Sequence, residues 1–336
     1  MSDKKQVTVV FFVRHFSERG TEVAIYDYAH YNEEILGNKS VIVYLCHNKL
    51  VQLRFPIINT SFDKFKNRFR SNMIEINDIS DMKEIIKIHN IDFFYTLTHG
   101  GPDIYNFNNK SIWENCKTIK HFTFNSSYPE GDYYISVDNC LNTKHSKNIN
   151  YPVIPHIIYL KDNNENIRKE LNIPEKAIVF GRYGGFNQFD ITYVYEAIIT
   201  VLKRDSNIYF LFMNTKPFYR HRNIIYLDKN IDLEFKSKFI NTCDAMIHAR
   251  FEGETFGMSV GEFSFMNKPV ITTPSVVDNA HINILGDQAI IYNNNFDLIN
   301  IFTQFKHIIG DRTRFDSYKK YTPEYVMSLF NSIFTS

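Results

Sequence analysis

Short apolar runs of strand length alternate with amphipathic segments along most of the chain, and this alternation restricts the fold more than any other feature. It is typical of βαβ units, in which parallel strands form a sheet covered by helices. The apolar runs predict strands at Gln6–Val13, Ser40–Tyr44, Ile91–Leu97, Thr118–Phe124, Ala177–Phe180, Ile208–Met213, Ile224–Leu227, Ala245–His248 and Pro269–Thr272. Helical spacing predicts helices at Thr21–Ile35 (with Thr21 as N-cap), Asp81–His89, Ile191–Lys203, Met258–Asn267 and Pro323–Phe334.

The alternation is interrupted once, near the middle of the chain. Pro152 and Pro155 break it, and the polar stretch KDNNENIRKE follows. We therefore predict two domains, residues 1–152 and 153–336, each a Rossmann-like, doubly wound sheet, facing each other across a cleft. A length of 336 residues suits two domains of ordinary size. Sheets of this kind bind ligands at the carboxyl ends of their strands, so we expect the functional residues in the βα loops.

Composition excludes several classes of protein. Lys and Arg number 38 against 37 Asp and Glu, so the charge balance gives no electrostatic footprint for binding nucleic acid or an anionic membrane. No apolar stretch approaches the roughly 18–20 residues of a transmembrane segment. The first apolar run ends at Arg14 without a cleavage site, so we expect a cytoplasmic protein without a signal peptide. The four cysteines form no C-x-x-C pair, which predicts free thiols and neither a zinc site nor disulfides.

The stretch CDAMIHARFEGETFGMSVGEFSFMNKPVITT, Cys243–Thr273, carries most of the functional information. It is interpreted as a strand, a loop containing Glu254, a helix from Met258 and a second strand. Gly257 lets the backbone approach a ligand closely, and the free N–H groups at the start of a helix suit a phosphate. Glu262, about one turn inside the helix, can then reach a sugar hydroxyl attached to that phosphate.

These residues resemble the E-x7-E signature of GT-B glycosyltransferases of family 4, also called group 1. In that family the first Glu lies near the transferred sugar and the second binds the nucleotide ribose, which the resemblance carries over to Glu254 and Glu262. It implies a GT-B fold, with residues 1–152 on the acceptor side, residues 153–336 binding the donor, and a terminal helix able to cross back to the first domain. The start of the helix adds further donor-binding residues: Thr255, Phe256, Gly257, Met258 and Ser259.

A second match is VFGRYGG, Val179–Gly185, which resembles the family's G-R loop. There the Arg contacts the donor diphosphate, which implies this role for Arg182, whose planar fork donates to two oxygens. Gly184 permits close approach of the backbone. The family's usual Lys, several residues later, is replaced by NQFD, so the second positive charge is unassigned. Its candidates are Lys216, Arg220, Arg222 and Arg250, with Arg250 best placed because it precedes the Glu254 loop.

Weaker matches concern the nucleotide base and the first domain. The segment IIYLDKN at Ile224–Asn230 resembles the strand and loop that contact the base, which implies a backbone role for Leu227. The first βα turn, Arg19-Gly20-Thr21, lies where the family has a glycine beside the leaving phosphate. His99 resembles a cleft histidine of the family, and His121 and Asn125 are the alternatives to it.

The resemblance implies retaining transfer of a sugar from a UDP- or GDP-sugar to a hydroxyl of a glycan, lipid or protein-linked acceptor. Glu254, Arg182 and His99 are the expected catalytic residues. No D-x-D pair is present, so we expect no metal, and no cofactor beyond the nucleotide-sugar substrate. Two alternatives stay open: an inactive sugar- or nucleotide-binding protein, favoured by the missing Lys, and a nucleotide-sugar epimerase. The absence of G-x-G-x-x-G disfavours a nicotinamide dehydrogenase.

Overall fold

The computed structural model describes residues 6–18, 20–53, 58–124, 126–143 and 150–335. The chain divides into two compact units, unit 1 being Met1–Ile157 with Thr322–Ser336 and unit 2 being Ile158–Tyr321. The chain therefore returns to unit 1 through a terminal helix, Pro323–Phe334. The boundaries 1–152 and 153–336 of the functional domains remain a prediction.

Unit 1 is a parallel sheet with flanking helices. Its strands are Thr8–Val13 (β1), Lys39–Leu45 (β2), Met73–Ile76 (β3), Phe93–Thr98 (β4), Lys117–Phe122 (β5) and Tyr133–Ser136 (β6). Its helices are Gly20–Glu34 (α1), His47–Gln52 (α2), Asn59–Phe69 (α3), Met82–His89 (α4), Lys110–Trp113 (α5), Asn139–Thr143 (α6) and the terminal helix. Among the described residues the sheet has six strands in the order β3-β2-β1-β4-β5-β6.

The core of unit 1 lies on both faces of its sheet. Every residue of β1 is buried, which explains why its sequence TVVFFV is a continuous apolar run instead of an alternating one. On one face the ring of Phe11 lies 5.3 Å from that of Tyr95 and 6.2 Å from that of Phe330 in the terminal helix. The terminal helix is thus part of the core of unit 1.

Unit 2 has the same architecture. Its strands are Ile178–Tyr183 (β7), Ile208–Met213 (β8), Ile224–Leu227 (β9), Ala245–Ile247 (β10), Gly253–Glu254 (β11), Val270–Thr272 (β12), Asp278–Asn279 (β13) and Ala289–Ile291 (β14). Its helices are Thr192–Leu202 (α7), Leu233–Thr242 (α8), Met258–Phe265 (α9), Ala280–Leu285 (α10), Asn295–Thr303 (α11) and Phe305–Ile309 (α12). Six of the described strands form the parallel sheet β14-β12-β10-β7-β8-β9, while β11 pairs with β13.

Both sheets are doubly wound, as predicted, and each reverses its strand order at one point. The reversal falls between β1 and β4 in unit 1 and between β7 and β10 in unit 2. Open α/β sheets bind ligands just beyond the carboxyl ends of the strands that flank such a point. The segments that follow β7 and β10 are therefore where a ligand site is expected in unit 2.

Several elements differ from the sequence prediction. The strands β3, β6 and β14 were not predicted, because they are outer strands of three or four residues; in β3, which reads MIEI, only Ile76 is buried. Helix α1 begins at Gly20, so Thr21 lies in its first turn instead of capping it. No helix within the described ranges is both long and apolar enough to cross a membrane.

Strand β7 also runs further than predicted, to Tyr183, so that Gly181 and Arg182 belong to the strand and not to a loop. Gly181 has a packing reason to lack a side chain. A Cβ there would lie 2.2 Å from Sγ of Cys243, which precedes β10 by two residues. A glycine inside a strand often marks such a close approach.

Candidate functional site

Arg182 lies at the carboxyl end of β7, next to the switch point of unit 2. Its side chain is buried, and Nη1 donates to the carbonyl of Asn214 at 3.3 Å and to Oγ1 of Thr215 at 2.6 Å. Nη2 donates to the carbonyl of Gly185 at 2.9 Å. The ring of Phe189 lies 5.8 Å from the guanidinium carbon. Acceptors from the loops after β7 and β8 therefore hold this guanidinium in one orientation.

The charge of Arg182 survives its burial. Burial lowers the pKa of its guanidinium to about 10, while the nearby charges of Glu254 and Asp190 raise that pKa. The group is therefore protonated at neutral pH. At Gly184 a Cβ would lie 3.0 Å from Nη2, so the absence of a side chain there makes room for the guanidinium.

Glu254 is a partly buried carboxylate held by two basic groups. Nη1 of Arg250 donates to its Oε2 at 2.9 Å, and Nε2 of His248 lies 3.4 Å from its Oε1. Burial raises the pKa of Glu254, but the hydrogen bond and charge of His248, with the charge of Arg250, outweigh that effect and lower it. Glu254 is therefore ionised at neutral pH and acts as an acceptor of hydrogen bonds.

Two glycines position Glu254. Gly253 has φ +67°, and a Cβ there would lie 1.8 Å from the carbonyl oxygen of Asp278, so only glycine permits the pairing of β11 with β13. Gly257, at the N-cap of α9, has φ +82°, and a Cβ there would lie 3.3 Å from Cβ and Cγ of Glu254. The Glu254 side chain thus packs against the start of α9.

Five further predicted donor-binding residues lie at the start of α9 or just before it. Thr255 and Phe256 are buried just before it, and the carbonyl of Phe256 accepts a hydrogen bond from Tyr318. Met258 and Ser259 begin the helix and are partly buried. The N–H groups at this end of the helix carry its positive partial charge and lie beside Glu254.

Glu262 is the fifth residue of α9 and has different partners. One of its oxygens accepts a hydrogen bond from the hydroxyl of Tyr183, and the other accepts from Nζ of Lys236 at 3.0 Å. Burial, followed by the charge of Glu262, raises the pKa of Tyr183 well above its ordinary value, so Tyr183 stays a donor. Tyr183 follows Arg182 directly in β7, so Glu262 bonds the residue next to Arg182 at the end of that strand.

The other predicted donor contacts are more exposed. Lys216, Arg220 and Arg222 are exposed, whereas Arg250 is bonded to Glu254. Leu227 ends β9, and its carbonyl accepts from the backbone N–H of Asn214 at 3.1 Å. Of the candidates for the second positive charge, Arg250 is thus the one that the structure brings to Glu254.

In unit 1 the predicted residues lie beyond the carboxyl ends of β1 and β4. His99 follows β4, is exposed and stacks on Phe124 with 5.0 Å between ring centroids. Gly20 is exposed at the start of α1, and Oγ1 of Thr21 donates to Glu22 at 3.0 Å. Arg19 and Asn125 lie outside the described residues.

His121 is not a candidate for binding a ligand at the surface. Its ring is fully buried in the sheet, Nδ1 lies 2.8 Å from the hydroxyl of Tyr95, and burial lowers its pKa well below the ordinary value. It is a neutral core histidine, because β5 is covered on both faces.

The described residues contain no group of three or more His, Cys, Asp or Glu side chains placed to hold a metal ion. No protein-family model matches the sequence, and a search of curated proteins finds no match.

Solved structures, in contrast, match over the whole chain. A glycosyltransferase from Rickettsia africae superposes with a TM-score of 0.68 at 16% identity, covering 99% of this chain and 98% of that one. HepE of Anabaena in complex with UDP-glucose gives a TM-score of 0.69 at 11% identity, covering 98% and 100%. The UDP-GlcNAc 2-epimerase of Neisseria meningitidis bound to UDP-GlcNAc gives 0.57 at 10% identity, covering 98% and 100%.

The chain has the GT-B fold. At these identities the likeness establishes the architecture, and it matches the two six-stranded parallel sheets of the described residues.

Sequence reasoning missed several polar side chains in each unit of this GT-B protein. His248 and His281 flank Thr272 behind Glu254, and Lys236 reaches Glu262 from α8. In unit 1 the buried Glu22 accepts from Oγ of Ser17 at 2.6 Å. The proximity of His248 to the Glu254 motif was the one available signal; Lys236 looks like any lysine of an amphipathic helix.

Proposed function

We propose that the protein is a retaining glycosyltransferase, of the hexosyltransferase type, that moves a sugar from a nucleoside-diphosphate sugar to an acceptor hydroxyl. The observation that supports it best is that Arg182, the first turn of α9 and the carboxylates of Glu254 and Glu262 all lie by the switch point of unit 2. This combination suits a ligand with a diphosphate flanked by two sets of hydroxyls. Similarity in fold to proteins crystallised with UDP-glucose and UDP favours UDP as the nucleotide.

The chemical task is to stabilise the negative charge that the departing nucleoside diphosphate gains. Arg182 is charged, buried and held by three protein acceptors, and the two of its five N–H donors not used in those bonds would act on phosphate oxygens. Arg250, which bonds Glu254, and the N–H groups at Gly257–Ser259 add positive charge near this carboxylate. Preorganised donors of this kind stabilise developing charge more strongly than water does.

The two carboxylates take different parts of the donor. Glu254 is ionised, so it accepts hydrogen bonds from hydroxyls of the transferred sugar and is not assigned as a proton donor. Glu262 binds the ribose: each of its oxygens accepts one protein hydrogen bond and keeps a second acceptor position. Lys236, beside Glu262, adds a positive charge at the ribose position, whereas Arg250 remains the candidate for the charge left unassigned by the missing loop Lys.

The first unit is assigned to the acceptor. Gly20 and Thr21 would lie beside the leaving phosphate, and His99 would contact the sugar or the acceptor hydroxyl. These assignments depend on the family resemblance together with the position of all three residues beyond β1 and β4, the strands that flank the switch point of unit 1.

A donor screen tests the proposal. The protein is incubated with UDP- and GDP-sugars and a panel of acceptors, and both released nucleotide and new glycoside are measured. We expect release of UDP coupled to glycoside formation, reduced at least tenfold in Arg182→Lys, because the single ammonium of Lys cannot reproduce the fork. Arg222→Lys, an exposed position, is the matched control and should behave as wild type.

A nucleotide-sugar epimerase is the second candidate, since structures of UDP-GlcNAc 2-epimerases share the fold. It predicts conversion of UDP-GlcNAc to its 2-epimer without an acceptor, which the same screen detects by NMR of the sugar. Binding of nucleotide without turnover on any donor would instead favour an inactive binding protein.

A further inference from the structure

A chain of side-chain contacts runs from Glu254 into the interior of unit 2. Nε2 of His248 lies 3.4 Å from Glu254, and Nδ1 of His248 lies 2.9 Å from Oγ1 of Thr272. The same hydroxyl oxygen lies 3.0 Å from Nε2 of His281. All three inner residues are buried, with exposures of 4%, 0% and 0% for His248, Thr272 and His281.

The number of donors and acceptors on these side chains restricts which of their atoms carry protons. An ionised carboxylate only accepts, so Nε2 of His248 must carry a proton in order to bond Glu254. The hydroxyl of Thr272 has one hydrogen, so it can donate to only one of the two ring nitrogens that face it. The other nitrogen must therefore be an N–H. At most one of the two histidines can therefore accept from Thr272, and the ring that does not accept must donate to it.

The backbone holds His248 in place for this contact. Its N–H donates to the carbonyl of Ile271 at 2.8 Å, and its carbonyl accepts from the hydroxyl of Tyr292 at 2.8 Å. Because β10 and β12 are neighbours in the sheet, Thr272 at the end of β12 is brought beside His248 just past the end of β10. With the backbone of His248 fixed in this way, only the orientation and the protonation of its ring can still vary.

His281 comes from a third element, α10, and packs its ring against that of His248 with 4.7 Å between centroids. Burial lowers the pKa of His281 to about 3, with a smaller lowering from the charge of His248, whereas Glu254 raises it. Arg250 also lowers it, so His281 is a neutral ring at physiological pH. A neutral ring can act as either donor or acceptor toward Thr272 but keeps no charge of its own.

We propose that Thr272 and His281 are positioning residues, which hold the Nε2–H of His248 toward Glu254 and thereby fix the carboxylate that receives the donor sugar. The inference rests on the proposed role of Glu254. Neither residue touches substrate; both act through His248.

Substitutions at Thr272 separate the hydroxyl from the bulk of the side chain. Thr272→Ser keeps the hydroxyl and should retain kcat within about threefold, whereas the near-isosteric Thr272→Val should lower kcat about tenfold or more, the size expected for one hydrogen bond to a charged group. The KM for the donor should change much less. His281→Gln can still place an amide where Nε2 of His281 lies in wild type, so it should lower kcat less than His281→Leu.

Thr242 provides a matched control for the loss of a buried hydroxyl. It is fully buried in the same unit, donates to the carbonyl of Lys238 at 2.7 Å and accepts from the N–H of Ile167 at 2.9 Å. Thr242→Val should lower stability like Thr272→Val but leave kcat unchanged. Equal kcat losses in the two variants, or wild-type kcat in Thr272→Val, would overturn the proposal.

A spectroscopic measurement tests the inference without relying on turnover. In protein labelled with 15N-histidine, long-range 1H–15N correlation spectra report which ring nitrogen carries the proton, with His248 assigned from His248→Asn. We expect Nε2 of His248 to be protonated in wild type and Thr272→Ser, and its signals to change in Thr272→Val but not in Thr242→Val. An unprotonated Nε2 of His248 in wild type overturns the positioning role of Thr272 and His281, even if the enzyme is active. If the spectra are as expected but the protein turns over no nucleotide-sugar donor, the proposed function is rejected and the positioning role of Thr272 and His281 is kept.

Discussion

At the scale of single residues, Glu254 and Glu262 lie on one stretch of chain but have different surroundings. Glu254 is held by Arg250 and His248 and packs against the start of α9. Glu262 is held by Tyr183 and Lys236 one turn further along the helix. The first arrangement keeps an ionised acceptor beside an arginine and a histidine. The second places a carboxylate next to a lysine and a phenol, which suits recognition of hydroxyls.

Lys236 should contribute to nucleotide affinity. Lys236→Met removes the hydrogen bond to Glu262 and a positive charge, so we expect UDP to bind about tenfold more weakly, or about 1.4 kcal/mol. Isothermal titration calorimetry measures this. Lys238→Met is the control, because Lys238 lies on the same helix but pairs with Glu165 and Glu234. Equal effects of the two substitutions would remove Lys236 from the site.

The lowered pKa of Glu254 predicts a pH dependence of stability. A carboxyl group whose folded-state pKa lies below its ordinary value of 4.5 stabilises the fold above that value, and the contribution disappears as pH falls through the folded-state pKa. The stability advantage of wild type over Glu254→Gln should therefore be full near neutral pH and shrink on acidification below about pH 4.5.

Urea titrations at a series of pH values test this dependence. Glu252→Gln is the control, since Glu252 is exposed and pairs with the same Arg250. An advantage over Glu254→Gln that grows on acidification would contradict the assignment of Glu254 as an ionised group.

At the scale of secondary-structure elements, the short pair β11–β13 determines where Glu254 stands. Its strands have two residues each, so the pairing depends on Gly253, where a Cβ would lie 1.8 Å from the carbonyl oxygen of Asp278. Helix α9 begins at Met258, four residues beyond Glu254, and its N-cap Gly257 packs against the Glu254 side chain. Elements this short are positioned by tertiary contacts and not by intrinsic propensity.

Gly253→Ala should damage both stability and function. The added Cβ meets the carbonyl oxygen of Asp278 at 1.8 Å, in a backbone conformation of φ +67° that alanine rarely adopts. Gly286→Ala is the matched control, because Gly286 has φ +57° but nothing within 4 Å of a Cβ. We expect Gly286→Ala to cost about 1 kcal/mol from backbone strain alone, and Gly253→Ala to cost clearly more and to lower turnover. Chemical denaturation would contradict this if the two losses were equal.

The elements also show what the sequence can predict. The central strands were predictable because parallel strands covered on both faces are continuous apolar runs, as in TVVFFV of β1. The outer strand β3 was not, because Met73 and Ile74 are only partly buried and Glu75 is exposed. Arg182, Glu254 and Glu262 could be proposed from local motifs. The contacts of His248 with Thr272 and of Lys236 with Glu262 could not, because they span 24 and 26 residues and exist only after the sheet forms.

At the scale of the whole molecule, the two units repeat one topology, with the sheet order reversing between β1 and β4 and between β7 and β10. In each unit the candidate site residues lie beyond the carboxyl ends of the strands that flank this reversal. The proposed donor residues collect in unit 2, whereas His99, Gly20 and Thr21 collect in unit 1. In the proposed function, unit 2 therefore binds the donor and unit 1 binds the acceptor.

If Arg182, Arg250 and the helix amides supply the positive charge, the reaction needs no divalent cation. Turnover should then be unchanged after treatment with EDTA and dialysis. Added Mg²⁺ or Mn²⁺ should raise it by no more than about twofold, because a larger gain would match the contribution of a hydrogen bond to a charged group. Loss of turnover that Mg²⁺ or Mn²⁺ restores would contradict this charge assignment.

A crystal structure with bound UDP tests the central claim most directly. We predict that the diphosphate lies within hydrogen-bond distance, about 2.7–3.2 Å, of Arg182 and of the N–H groups at the start of α9. The ribose should lie on Glu262 and the base near Leu227. A nucleotide found in unit 1, or at another face of unit 2, would contradict the account.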